Sequence, residues 1–237
     1  MRTDRDVIGD ATRFLLLDVP PEYEEAVLVL GFTLIGNAFA RAFPNDVPNL
    51  DEVYANFGRH AEEMIRQAAG LAEAPWRTAL MALLGRLEGR PIAWWLTGSG
   101  ALAVRGIDVQ PRDLDLVVDE RGATELGVLL ADTLVEPVVS VKDWICRWWG
   151  RAFLHVRIEW VGGVDDRADD SLVTDFGPTA ASRLETVTWN GRIVRVPPLD
   201  LQLAVSERRG LRDRAARIRD LLGRGGSPAR RLFMKER

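Results

Sequence analysis

Asp113 and Asp115 stand two positions apart in the run Arg112-Asp113-Leu114-Asp115-Leu116-Val117-Val118. A strand through this run sends both carboxylates off one face while Leu114, Leu116 and Val118 turn to the other. Two such carboxylates repel unless a cation lies between them. Upstream, Ile92 to Thr97 reads as an apolar strand that ends at Gly98-Ser99-Gly100 and leads into helix-forming Ala101 to Arg105. Free N–H groups at the start of that helix face whatever sits above the turn, which makes an anion site. A phosphate cradle beside a carboxylate pair suits metal-assisted phosphoryl or nucleotidyl transfer, because the metal neutralises charge developing on the phosphate in flight. A turn glycine followed by a strand with two solvated acids is the alternative.

Strand, Gly-Ser, spacer and Asp-x-Asp between apolar residues, in that order, resemble the signature of the nucleotidyltransferase superfamily of DNA polymerase beta. Leu96-Thr97-Gly98-Ser99 and Arg112 to Val118 carry it here. The chain looks most like the small bacterial members: antibiotic, minimal and toxin-type nucleotidyltransferases. The resemblance runs from Pro75 to Leu222 and leaves the N-terminal part unmatched. It implies a nucleoside triphosphate as substrate and Mg²⁺ (or Mn²⁺) as cofactor, with Asp113 and Asp115 as metal ligands and Gly98 and Ser99 on the triphosphate. An acceptor hydroxyl would attack the α-phosphorus, and pyrophosphate would leave. Family members bring a third carboxylate from a later strand. Glu159 is the acid with that context, on the polar face of the run Leu154 to Trp160, and is expected as both metal ligand and proton acceptor. A solvated glutamate paired with Arg157 or Arg147 is the alternative there, and Asp165 or Asp166 is the fallback. Relatives also set a basic residue of a C-terminal helix against the triphosphate; Arg212 occupies that place, where the family favours Lys.

The elements that must position these residues follow from pattern. Three parts are expected: a helical N-terminal extension over 1–72, the nucleotidyltransferase-like core over 73–197, and C-terminal helices with a mobile tail over 198–237. The fold class is α+β, a small mixed twisted sheet of the nucleotidyltransferase type flanked by helices. Glu22 to Phe43 has acids at its start, Arg41 near its end and Pro44 beyond, which predicts a helix. Its middle is apolar all round, so it is expected to be buried or to contact a protein partner or a second copy of the chain. Between Glu25 and Arg41 it is shorter than the ~20 residues a membrane span needs. Helices are predicted over 49–70, from Pro75 to Leu87, after Asp119, over 199–207 and over 211–222. Gly150-Arg151 reads as a hairpin turn between Trp144 to Trp149 and Ala152 to Val161, and Asn190-Gly191 as a second turn at the far edge of the sheet.

With 237 residues, 47% hydrophobic and 28% charged, the chain has the composition of a folded globular protein. A net charge of −4 argues against broad non-specific nucleic-acid binding. The single cysteine, Cys146, excludes an internal disulfide and, set among tryptophans, reads as a buried side chain. Phe14-Leu15-Leu16-Leu17 is too short for a secretory signal, so a cytoplasmic location is expected. The function expected is transfer of a nucleotidyl group to a hydroxyl acceptor, whether small molecule, protein or RNA. A catalytically silent binding or regulatory module on the same fold, or a toxin-type enzyme acting on RNA, are the alternatives.

Overall fold

The structure is a computed structural model describing residues 1–142, 144–170 and 172–223. The tail that the sequence marks as mobile lies outside the described residues. The chain opens with β1 (Arg2–Ile8), β2 (Ala11–Leu17), α1 (Pro21–Val29), β3 (Thr33–Ile35) and β4 (Ala38–Pro44). These strands form an antiparallel sheet in the order β1-β2-β4-β3. The N-terminal part is therefore built on a sheet, which corrects the expectation of a helical extension and of one helix over 22–43. The reason is local. A run apolar on every side carries no period, and Gly31 (φ 87°) and Gly36 (φ 63°) put the backbone in the left-handed region where the chain reverses. Phe14 and Leu16 of β2 are fully buried, while Arg13 and Leu15, which alternate with them, are only partly so.

Two helices follow where the periodicity places them, α2 (Leu50–Ala69) and α3 (Trp76–Leu87). Gly70 closes α2 in a left-handed conformation. Then come β5 (Trp94–Thr97), α4 (Gly98–Val104), β6 (Asp113–Val118), α5 (Glu120–Leu129), β7 (Leu134–Ser140), β8 (Cys146–Leu154) and β9 (Val156–Val164). Their sheet has the order β5-β6-β9-β8-β7, with β6 and β9 parallel and the other pairs antiparallel. This is the α+β class with the mixed sheet expected. Asp119 caps α5 by accepting from the Gly122 N–H at 2.7 Å. Ala123 and Trp160 show which face α5 covers, since the Trp160 indole donates to the Ala123 carbonyl at 3.1 Å.

The β8–β9 turn falls at His155 (φ 64°) and not at Gly150-Arg151, which lie inside β8. Gly150 is a glycine because a Cβ there would run into the Trp160 ring, a packing reason that mimics a turn signal. As a result Arg151 is a strand residue facing Glu159.

The last elements are α6 (Pro178–Ser182), the hairpin β10 (Glu185–Trp189) and β11 (Arg192–Val196), α7 (Leu199–Arg208) and α8 (Arg212–Gly223). The hairpin forms its own two-stranded sheet instead of extending the five-stranded one. One apolar cluster joins the N-terminal sheet, through Phe14 and Phe39, to α2, α3 and the five-stranded sheet. A smaller cluster of Leu102, Ile107, Leu199 and Ile218 ties α7 and α8 to α4. Among the described residues no helix is long and apolar enough to cross a membrane.

Candidate functional site

Register alone assembles a row of polar side chains across the sheet. Thr97 of β5 pairs with Asp115 of β6, Asp115 with Glu159 of β9, Glu159 with Arg151 of β8, and Arg151 with Glu136 of β7. Cross-strand partners share a face, so five successive strands present Thr, Asp, Glu, Arg and Glu side by side. Asp113 and Arg157 pair one pleat further along on the same face.

The charges alternate along this row. Arg41 Nη2 of β4 lies 2.9 Å from Glu136 Oε2, Arg151 Nη1 is bonded to Glu136 Oε1, and Arg151 Nε is 2.6 Å from Glu159 Oε1. Arg157 Nε sits 3.2 Å from the same Glu159 oxygen, and its Nη2 is bonded to Asp113 Oδ2. Arg41 and Arg151 also share the Leu30 carbonyl as acceptor, at 2.5 and 2.9 Å. Burial pushes the Glu136 carboxyl up despite its two guanidinium partners. Burial acts the same way on Glu159, but Arg151 and Arg157, with Arg41 beyond, outweigh it and hold that carboxyl below its ordinary value.

Asp115 differs from its neighbours. It enters no ion pair among the described residues, and burial, with Asp113 and Glu159 beside it, pushes its carboxyl well above the ordinary range. Gly98 meets it from the strand end. A Cβ on Gly98 would come 2.5 Å from Asp115 Oδ2, and the residue has φ 61°, so space and backbone both require glycine. Above the turn lies a carboxylate that the sequence reading missed. Asp175 accepts from Thr97 Oγ1 at 3.0 Å, and the Gly98 amide also holds its titration down, although burial raises it on balance. The loop carrying Asp175 is fixed by Asp169, which accepts from the Thr174 and Thr179 amides at 2.9 and 2.8 Å. Asp165 of the same acidic stretch pairs with Arg167.

These groups open on a cleft of about 350 Å³. Thr97, Gly98, Asp115, Glu159 and Asp175 form its acidic wall, Trp144, Trp149 and Phe176 an aromatic one, and Arg208, Arg209 and Arg214 its basic rim. Arg209 and Arg214 enter no ion pair among the described residues. Burial, then the nearby Arg209, lowers the Arg214 guanidinium, while Asp115, Asp113 and Asp175 pull the other way. Two crowded cations that enter no ion pair among the described residues are a place for a polyanion.

Of the residues singled out in the sequence, Gly98, Asp115 and Glu159 line the cleft. Asp113 is outside its wall and reaches it through Arg157. Ser99 is buried at the start of α4, behind the wall. Arg212 opens α8 but does not line the cleft; Arg209 and Arg214 do. Their signal was the arginine-rich stretch itself, whose rotation about the helix axis only the Ile218 and Leu199 packing sets.

A divalent ion caged by Asp113, Asp115 and Glu159 does not fit the side chains as they stand. Arg157 lies across Asp113 and Glu159, where such a cation would sit, and Arg151 takes a further position on Glu159. Among the described residues no group of three or more His, Cys, Asp or Glu side chains is set to hold a metal ion. Arginine side chains thus engage two of the three carboxylates that the sequence offers as metal ligands, and Asp115 enters no ion pair among the described residues.

No family profile matches the sequence, and no curated protein does. Among solved structures, the chain is similar to a Thermotoga maritima protein provisionally assigned as a nucleotidyltransferase, at 23% identity and a TM-score of 0.49 over 65% of this chain and 96% of that one. It is also similar to a lincosamide antibiotic adenylyltransferase with lincomycin bound, at 15% identity and a TM-score of 0.43, covering 60% and 94%. A nucleotidyltransferase-like protein from Paracoccidioides brasiliensis gives 18% identity and 0.39, covering 66% and 81%. At these identities the likeness is one of fold, and the chemistry has to be argued from the cleft.

Proposed function

We propose that the cleft binds a nucleoside triphosphate and transfers its nucleotidyl group to a hydroxyl acceptor. The observation that carries this reading is a pair of cations that enter no ion pair among the described residues, Arg209 and Arg214, in the lining of a cleft that also holds Asp115, Glu159, Asp175 and Gly98. A polyphosphate gives these arginines an anionic partner, and the Trp144 and Trp149 rings, 6.1 Å apart and inclined at 59°, offer a planar base a wall to lie on. Gly98 at the head of α4 lines the same cleft.

In the transfer the acceptor oxygen forms a bond to the α-phosphorus, the bond from that phosphorus to the β-phosphate oxygen breaks, and pyrophosphate leaves with that electron pair. The acceptor proton needs a base. Glu159, held ionised by two guanidinium groups, carries no proton of its own and takes it, whereas Asp115, whose carboxyl is pushed up, holds its proton. Arg209 and Arg214 carry the charge of the departing pyrophosphate. No step is drawn through a metal ion. A small molecule, a protein side chain and an RNA end all supply the required hydroxyl.

The second reading is a silent nucleotide-binding module, favoured by the Arg157 bridge across two of the acids. One experiment separates the two. The protein is mixed with each of the four α-³²P-labelled triphosphates in buffer containing Mg²⁺ or Mn²⁺, with hydroxyl acceptors of the three classes, and both bound triphosphate and released pyrophosphate are measured. Binding with pyrophosphate release supports transfer. Binding without release under every acceptor supports the silent module, and no binding of any triphosphate removes both.

A further inference from the structure

We propose that a second groove beside the cleft holds the hydroxyl acceptor, and that this acceptor is an uncharged small molecule with a flat apolar body. The acceptor role rests on the transfer reading above; the groove and the chemistry of its ligand do not. The groove has a volume of about 320 Å³, the size that takes a small organic ligand, and lies where α1 ends against β4, β7 and β8. Val29, Val139 and Val141 give it apolar sides. Trp144 and Trp149 line both the groove and the cleft, so a ligand in one adjoins a ligand in the other.

The fold leaves part of this lining in water. Val29 is 72% exposed and Trp144 is 45% exposed, large apolar side chains that a ligand would cover. The Trp149 ring, by contrast, is held in place, with the guanidinium groups of Arg151 and Arg41 at 5.5 and 6.0 Å from its centroid. Leu30 keeps the end of α1 against this ring, since its side chain is buried and its carbonyl accepts from both arginines. A fixed aromatic ring with valines beside it suits a planar apolar body.

Charge narrows the ligand further. Among the described residues the charged groups of the lining are Arg41 and Arg151, and both are engaged with the buried Glu136. A cationic ligand therefore finds no carboxylate among them, and an anionic one has to compete with Glu136 for its arginines. Either would give up water without a partner in return, a cost that an uncharged ligand escapes. An RNA end would bring phosphates to cations that are already paired. Glu159 sets the direction of the hydroxyl. It lines the cleft, takes the proton in the transfer, and lies 2.6 Å from Arg151 Nε. A hydroxyl at the inner end of the groove is thus one arginine side chain from the base.

The test is equilibrium dialysis without nucleotide, using three compounds that share one flat body: naphthylethanol, naphthylethylamine and naphthylacetate. The alcohol should bind, and the ammonium and carboxylate compounds should bind more weakly by about tenfold or more. Val29→Asp and, from the β7 side, Val141→Asp should each weaken the alcohol by about tenfold. Val29 is exposed, so its variant should keep the wild-type thermal melt even if Val141→Asp does not fold. Neither residue lines the cleft, and ATP affinity in both variants should change by less than about twofold. With the four triphosphates and Mg²⁺ or Mn²⁺, the alcohol should raise pyrophosphate release: its oxygen bonds to the α-phosphorus, its proton goes to Glu159, and pyrophosphate leaves with the electron pair of the broken bond. No binding of the alcohol, tighter binding of either charged compound, or undiminished binding in Val29→Asp overturns the proposal. Pyrophosphate release with other acceptors but not with the bound alcohol overturns the acceptor role. Binding of the alcohol, lost in Val29→Asp, by a protein that binds no triphosphate would keep the groove and its ligand class and remove the transfer reading.

Discussion

Asp115 on β6 and Glu159 on β9 are register partners across a parallel strand pair, and of the two only Glu159 is bonded to a cation. That asymmetry separates Asp115 also from Asp113, which has Arg157. Two acids that the sequence presents as equivalent therefore have opposite energetics. The folded-state carboxyl of Asp115 is raised, so the native protein holds its proton where the unfolded chain has lost it. Its contribution to stability is present below the ordinary carboxylate value, near pH 4, and is lost as pH rises through the folded value. Asp115→Asn should accordingly be more stable than wild type at pH 7.5, by on the order of 1 kcal/mol. The two should converge toward pH 4. Asp113→Asn leaves Arg157 with half its partners and should lose about 1–3 kcal/mol at pH 7.5. Urea unfolding at the two pH values measures both, and equal losses in the two variants would mean that Asp115 is paired after all.

Arg209 and Arg214 are expected to carry triphosphate affinity. Charge-assisted hydrogen bonds contribute about 1.5–3 kcal/mol, so each alanine variant should weaken ATP binding by roughly tenfold to a hundredfold. Arg212→Ala should have the smaller effect, since Arg212 does not line the cleft. Removing a partly buried cation that has a like charge beside it should leave Arg214→Ala at least as stable as wild type. Equilibrium dialysis with ATP and with tripolyphosphate, beside thermal melts, checks both statements. An Arg212 effect larger than that of Arg214 would return the assignment to the sequence-based one.

What could be read from the sequence was what local pattern controls. α2, α3 and α5 have apolar stripes of helical period, with Gly70 closing α2 and Asp119 capping α5, and β5-turn-α4-β6 has Gly98 at a corner where only glycine fits. The Asp113 and Asp115 face followed from the two-residue period of a strand. The missed features are those fixed by distant packing. Gly150 is required by the Trp160 ring, and the N-terminal sheet hid in a run apolar on every side. Asp175 comes from an irregular loop whose shape depends on Asp169 accepting backbone amides, which no residue pattern announces. The arginine partners of Glu159 could be half foreseen. Arg157 was among the candidates, but Arg151 was hidden by the misplaced turn.

Glu136 lies between Arg41 and Arg151, and its side chain is 1% exposed. Breaking a buried ion pair by removing one partner costs about 3–5 kcal/mol, so Arg151→Ala should destabilise strongly. Replacing Glu136 and Arg151 together by Leu and Met should recover part of that loss, because Glu136 is then no longer stranded, while Arg41 keeps only the Leu30 carbonyl. The double variant should nevertheless fail to restore ATP binding fully, since Glu159 loses its 2.6 Å donor. Urea unfolding and dialysis on Glu136→Leu, Arg151→Met and the double variant make a closed cycle. If the double variant is no more stable than Arg151→Ala, the ion pair is stabilising in its own right.

Cys146 is part of the cleft lining, yet the residue is only 2% exposed and burial pushes its thiol up to about 11. The exposure is the better guide to reactivity, since a wall residue can present its backbone to the cleft and its sulfur to the interior. At pH 8 a thiol of that acidity is thiolate in only about one molecule in a thousand, and the thiolate is the reactive form. Ellman's reagent should therefore leave the native protein essentially unmodified over an hour at pH 8, while the protein in 6 M guanidinium reacts at once with one equivalent. Rate against urea concentration should follow the unfolded fraction, because opening precedes reaction. Saturating ATP should slow the reaction only through its effect on stability. Rapid native modification, blocked by ATP without any change in the urea midpoint, would show instead that the sulfur faces the cleft.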